Sequence, residues 1–195
     1  ITYKTAWFMC HRIRLAMTQA PLIELLKGEV EVDETYIGGK RKGKRGRGAE
    51  GKTPVLALIE RGGELRAQKM KRLSAKALEG VIHKHVDTSA NINTDEFRSY
   101  RGLDKEYKSH KTVQHGSGQY VNGAVHTNTL EGWFSLLKRG VNGTFHHVSE
   151  KHLNRYIDEF VFRYNNRKVN DSIRSILAVK QIGNKRLSYR KVKEG

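Results

Sequence analysis

An acidic residue stands in the middle of a run that otherwise reads as a buried β-strand. Residues 30–37 are Val-Glu-Val-Asp-Glu-Thr-Tyr-Ile. Valine, isoleucine, threonine and tyrosine suit a half-buried pleated surface, whereas aspartate is depleted there. Burying the charge of Asp33 is costly unless something pairs with it. The strand is therefore either an edge strand, with Glu31 and Asp33 turned to solvent, or a central one whose acid meets a cation. Asp95 closes a second short run, Asn91-Ile92-Asn93-Thr94. Its plainer use is to cap the turn that follows, a common job for aspartate. A third acid, Glu131, sits near the start of a helical stretch with Leu130, Trp133, Phe134 and Leu137 on one face, spaced as a core-facing helix requires. Asn128-Thr129-Leu130-Glu131 also fits a capping box, which would make Glu131 structural.

Carboxylates on a strand, a strand end and a helix suit a phosphoryl-transfer site with two divalent ions, because hard cations take oxygen ligands and a pair clamps the attacking and leaving oxygens. The charge balance points to a matching substrate. The 195 residues carry 37 Lys and Arg against 20 Asp and Glu, a net charge of +17. A folded domain so basic expects a polyanion. A ribosomal or membrane-surface protein would share that charge, so it does not establish an enzyme. Cys10 is the single cysteine, which excludes an internal disulfide and a multi-cysteine zinc site. It fits a reducing cytoplasm. No run approaches the roughly 18 apolar residues of a membrane span. No signal peptide is visible, and the opening residues read as the middle of something larger, so the chain reads as a fragment.

Along the chain, residues 4–17 predict an amphipathic helix with His11, Arg12 and Arg14 between its apolar positions. Seven of the thirteen residues from Lys40 to Lys52 are Lys or Arg, separated by glycines. That loop cannot pack a core, and its charge suits phosphate neutralisation; the bland alternative is a solvated loop. Residues 54–60 and 65–70 read as a hairpin, 74–85 as a helix capped by Ser74, and 91–94 and 111–115 as strands. Gly140 and Gly143 should end the Glu131 helix. A last long helix begins near Ser149, and residues 168–195 read as a partly ordered basic tail. Trp133 and Phe134 continue an apolar stripe and are assigned to the core. Arg163, Asn165, Asn166 and Arg167 either close the last helix or contact DNA. His115, His146 and His147 have no defined role.

Four blocks carry a family resemblance: VEVDETYIGGK at 30–40, TDE at 94–96, HTNTLEGWFSLLKR at 126–139 and KHLNRYIDEFVFRYNNR at 151–167. Together, and in this order, they resemble bacterial insertion-sequence transposases of the DDE superfamily, in the subgroup related to the eukaryotic Merlin elements, over roughly residues 5–170. The resemblance implies an α/β, RNase H-like mixed sheet flanked by helices. It implies an enzyme that cleaves DNA at transposon ends and joins the strand to target DNA. It implies two Mg²⁺ or Mn²⁺ ions held by Asp33, Asp95 and Glu131, with Asn128 an alternative third ligand. Lys138, seven residues after Glu131, is the basic partner of that acid, and His126 is a possible support. Lys40, Arg41, Lys42, Lys44, Arg45, Arg47, Lys52, Lys138 and Arg139 are the expected DNA contacts. Double-stranded DNA is the expected partner and a homo-oligomer on DNA the expected state. The expected setting is the bacterial cytoplasm, at the nucleoid, with no membrane. Residues 1–27 would be the remnant of a helix-turn-helix region, 28–170 the catalytic domain and 171–195 a basic tail. An RNase H-like nuclease without strand transfer, or a non-catalytic DNA-binding remnant, are the competing functions.

Overall fold

The computed structural model describes residues 1–18, 24–38, 51–113 and 126–194. The chain divides into two compact units, Ile23–Val148 and Ile1–Leu22 with Ser149–Gly195.

The first unit is built on five strands: β1 (Glu29–Ile37), β2 (Thr53–Glu60), β3 (Leu65–Lys69), β4 (Asn91–Asp95) and β5 (Ser109–Val113). Their order across the sheet is β3-β2-β1-β4-β5. β1 pairs antiparallel with β2, and β2 with β3 through the tight turn at 61–64, while β4 pairs parallel with β1 and β5 parallel with β4. A parallel neighbour needs a crossover. Here α2 (Ala75–His85) lies between β3 and β4 in the chain. The result is the mixed α/β sheet flanked by helices that an RNase H-like fold requires. The strand with the acid is central, not an edge.

Alternation along β1 divides its side chains between two faces. Val30 and Val32 join Leu56, Leu58 and Ile92 in one core with Leu78 and Ile82 of α2. Each such side chain contributes about 1.5–3 kcal/mol when fully buried. Glu29, Glu31 and Asp33 have the opposite parity. α3 (Asn128–Arg139) lies against β1 and β2, and its Leu130, Trp133, Phe134 and Leu137 are buried. α3 ends at Arg139 with Gly140 as its C-cap, as the sequence led one to expect. A wider turn follows from Gly140 to Thr144, closed by a bond of 2.9 Å from the Phe145 amide to the Gly140 carbonyl, with Val141 buried inside.

In the second unit, α1 (Tyr3–Met17) packs on α4 (Leu153–Asn165) and meets α5 (Asp171–Lys180) and α6 (Tyr189–Glu194). His11 and Arg14 of α1 are buried, whereas Arg12 is exposed. The Arg14 guanidinium lies 4.0 Å from the Tyr156 ring and donates to Glu159 at 2.8 Å. Arg163 donates to the other Glu159 oxygen, also at 2.8 Å. The polar end of α4 closes on itself: Asn166 Nδ2 bonds the Phe162 carbonyl at 2.9 Å and Arg167 the Tyr164 carbonyl at 3.0 Å. The tail expected to be only partly ordered carries α5, whose first turn is capped by Asn170 Oδ1 accepting from the Ile173 amide at 2.9 Å. No described helix is long and apolar enough to cross a membrane.

Candidate active site

Asp33 and Asp95 come from neighbouring parallel strands. The β1–β4 ladder pairs Glu29 with Asn91, Val30 with Ile92 and Glu31 with Asn93, and stops there. Two residues further on, and with the parity of Glu31 and Asn93, come Asp33 and Asp95. Both acids therefore share the α3 face of the sheet, just past the point where the strands cease to pair. Ligand sites of open α/β sheets lie in this kind of crevice, at the carboxyl ends of parallel strands.

Asp33 is half-buried, and its Oδ1 accepts the Glu34 amide at 2.7 Å. Its carboxyl is pushed well above the usual carboxylate range, first by burial, then by the negative charges of Glu34, Asp95 and Glu131, against the pull of that amide. Asp33 thus senses the charge of both other sequence-assigned acids. Asp95 Oδ1 accepts the Phe97 amide at 3.0 Å, so it also serves the turn after β4. Glu34 receives the Tyr100 hydroxyl at 2.5 Å. Tyr100 is buried, and burial with the nearby Glu34 charge lifts its phenol well above the ordinary range.

Glu131 is not part of a capping box. The N-cap of α3 is Thr127, which makes Asn128 the first helical residue and Glu131 the fourth. The helix is capped from elsewhere. Glu31, with a fully buried side chain, accepts the amides of Thr129 at 3.1 Å and Leu130 at 3.2 Å through one oxygen. Its other oxygen accepts the Thr129 hydroxyl at 2.8 Å and Arg61 Nε at 2.9 Å. His126 Nδ1 lies 3.3 Å from that oxygen without hydrogen-bond alignment, and the His126 carbonyl accepts from Arg61 Nη2 at 2.8 Å. Sequence reasoning left Glu31 without a role. The signal available was an acid in a strand, one alternation before Asp33.

Asn128 is exposed at the start of α3, and Arg139 is exposed at its end. Lys138 lies close enough to Asp33 and Lys52 to feel both charges. Its ammonium is lowered below the usual lysine range by partial loss of water and by Lys52, against the opposing pull of Asp33. Lys52 and Lys138 line one cavity of about 260 Å³ with Tyr36, Ile37, Gly38, Val141 and Asn142. Lys40, Arg41, Lys42, Lys44, Arg45, Arg47 and His115 lie outside the described residues.

The donor chemistry fits a hard divalent cation: carboxylate oxygens from three elements, with mutual repulsion that a positive ion would relieve. Among the described residues, however, no three His, Cys, Asp or Glu side chains already form a ligand group. The acids share a field without closing into a cage.

A model of the ISXO2-like transposase domain matches residues 25–165, a span that contains all three acids. The chain is also similar to an uncharacterized protein in the transposable element ISH50 of Halobacterium salinarum, with 34% identity over 180 residues. That match covers 84% of this chain and 60% of the relative's length. By the extent of the domain match, the chain belongs to the ISXO2-like transposase family.

Proposed function

We propose that this chain catalyses metal-dependent cleavage of double-stranded DNA at transposon ends and transfer of the freed strand into target DNA. One observation carries the reading. In a chain of transposase family, the charges of Asp95 and Glu131 both bear on the half-buried Asp33 beside a strand crevice. Asp33, Asp95 and Glu131 would hold two Mg²⁺ or Mn²⁺ ions, with Asn128 the alternative to Glu131. When bound, the ions would supply charge neutralisation at the phosphate and activation of water and then of a 3′-hydroxyl. Hard oxygen donors favour these metals over zinc.

The remaining residues bind and orient. Lys52 and Lys138 offer two ammonium groups to phosphate oxygens next to Asp33. Arg139 and, by its composition, the Lys40–Lys52 segment would add further positive charge for the duplex. Glu34 and Tyr100 hold the end of β1 against the turn after β4. A homo-oligomer on DNA, at the bacterial nucleoid, is the working state that belongs to this reading.

Asp33→Asn tests it. The substitution keeps shape and removes the charge that would hold a cation. Plasmid nicking in Mn²⁺ should be abolished while duplex affinity, set by Lys and Arg, stays near wild type. Loss of DNA binding together with nicking would mark Asp33 as a structural residue. Supplying a pre-cut end with a free 3′-hydroxyl then separates transposase from nuclease: no joined product, from a chain that nicks, would leave hydrolysis alone.

A further inference from the structure

We propose that Glu31 is a positioning residue for this site: it fixes the helix that carries Glu131 onto the strand that carries Asp33. The inference rests on the catalytic reading of those two acids. Its own support is geometric. Four donors, two of them amides at the start of α3, converge on one carboxylate that is fully buried. Helix amides left without intrahelical partners are normally satisfied locally or by water. Here they are satisfied from a strand far away in sequence, so the cap is also a tertiary tie. The favourable field of a helix N-terminus for an anion adds to it.

The position of this tie gives it a consequence for the site. Glu31 and Asp33 are one alternation apart on the same face of β1, a rise of about 6.4–6.8 Å. Leu130, whose amide is held, directly precedes Glu131. Beside the apolar packing of α3, one clamped point thus lies a short step from each acid. Arg61 closes the assembly. Its own amide bonds the Glu29 carbonyl at 3.0 Å, and its guanidinium spans Glu31 and the His126 carbonyl. Strand, hairpin turn and the entry to α3 are thereby joined around one carboxylate. Partners that orient ligands in this way commonly change metal affinity or activity by about 10–100-fold when removed.

The test uses the whole chain, with Glu31→Gln and the milder Thr129→Val, which removes one hydroxyl donor and keeps the side-chain shape. Three quantities are read: hydrogen exchange at the Thr129 and Leu130 amides, Mn²⁺ affinity from the free-ion electron paramagnetic resonance signal without DNA, and plasmid nicking alongside duplex affinity. Glu31→Gln should speed exchange at those two amides relative to the β2 core. It should weaken Mn²⁺ binding and nicking by about tenfold or more, with duplex affinity unchanged. Thr129→Val should move the same readouts in the same direction by a smaller factor. Faster exchange with wild-type Mn²⁺ affinity and nicking would make Glu31 a helix cap alone and overturn the proposal, as would unchanged exchange. If Glu31→Gln fails to fold, Thr129→Val decides by the same criteria. Unaltered Mn²⁺ affinity in Asp33→Asn would sink the catalytic reading instead, recognisably, because the exchange measurement does not depend on it.

Discussion

At the scale of single residues, buried polar groups divide into those with partners and those without. Glu31 has four donors; His11 is its counterpart. The His11 side chain is 0% exposed, and neither ring nitrogen has a hydrogen-bond partner among the described residues. It is held by rings, with centroids of Trp7 at 4.5 Å, His152 at 4.6 Å and Tyr156 at 6.0 Å. Burial first, then His152, Arg155 and Arg14, lower its pKa from 6.5 to about 4. The folded state therefore prefers the neutral ring. As pH falls below about 6.5 the unfolded chain takes up a proton that the folded chain refuses. The stability from this residue is present above that pH and is lost progressively down to about 4. His11→Phe keeps the ring packing and removes two unsatisfied nitrogens. It should raise stability at pH 7.5 by about 1–3 kcal/mol and reduce the loss between pH 6.5 and 4. His152, lowered by the same kind of burial, will leave some slope. Thermal melts at pH 7.5 and pH 5 check it; an unchanged acid slope in the variant would remove His11 as the cause. None of this could be read in the sequence, where His11 precedes Arg12 and Arg14 as one more basic residue of an amphipathic helix. Glu31 escaped notice for a related reason. Four acids, Glu29, Glu31, Asp33 and Glu34, crowd one strand, and nothing local shows which of them meets a helix end 98 residues away.

At the scale of elements, what was legible was whatever local periodicity and composition control. β1, β2, β3, α2 and α3 fall within a residue or two of the expected bounds, because each has a strong apolar pattern. Asp33 lies on a central strand because its neighbours Val30 and Val32 need cover on one face. What failed to show was structure decided at long range. A wider turn with Val141 buried in it follows α3 over Gly140–Thr144. α5 forms in a weakly patterned tail because Asn170 caps it. β1 also carries a ladder of carboxylates that local pattern does not distinguish. Glu29 accepts from Asn91 at 2.7 Å and Asn93 at 2.9 Å, tying β4 to β1 just before Asp95. Glu31 does the same for α3, and Asp33 is the next step. The mouth of the β1–β2 pair is equally constrained. A Cβ on Gly38 would stand 2.5 Å from the Gly51 carbonyl oxygen and 3.0 Å from Lys52 Cα, both backbone. Gly38→Ala should force those strands apart at a cost of about 1–3 kcal/mol, measured as a lower urea midpoint. Because Gly38 and Lys52 share the cavity with Lys138, duplex affinity should fall as well. A variant as stable as wild type would show that the hairpin mouth accommodates the extra atom without strain.

At the scale of the whole molecule, the charge of +17 and the acid site make opposite demands on the same substrate. Carboxylates that would hold cations repel a phosphate backbone, so the duplex must be held by basic groups placed around them. Lys138, which feels the Asp33 charge, is one, and Lys52 shares its cavity. The densest supply in the sequence is the segment from Lys40 to Lys52, which directly follows the strand of Asp33 and lies mostly outside the described residues. Each phosphate contact on duplex DNA contributes about 0.9 to the slope of log affinity against log salt. Replacing Lys42, Lys44, Arg45 and Arg47 with Ser should flatten that slope by up to about 3–4 if all four touch phosphate. Thermal stability should not change, since a glycine-rich basic segment has nothing to contribute to a core. Nicking at saturating DNA should survive, because none of these four residues belongs to the acid set. Fluorescence anisotropy on a short duplex between 50 and 300 mM salt gives the slope directly. An unchanged slope with unchanged affinity would mean that the segment is merely solvated. The path of the duplex would then have to be traced by the same measurement on Lys138→Ser and Arg139→Ser, at the basic end of α3 where Lys138 feels the Asp33 charge.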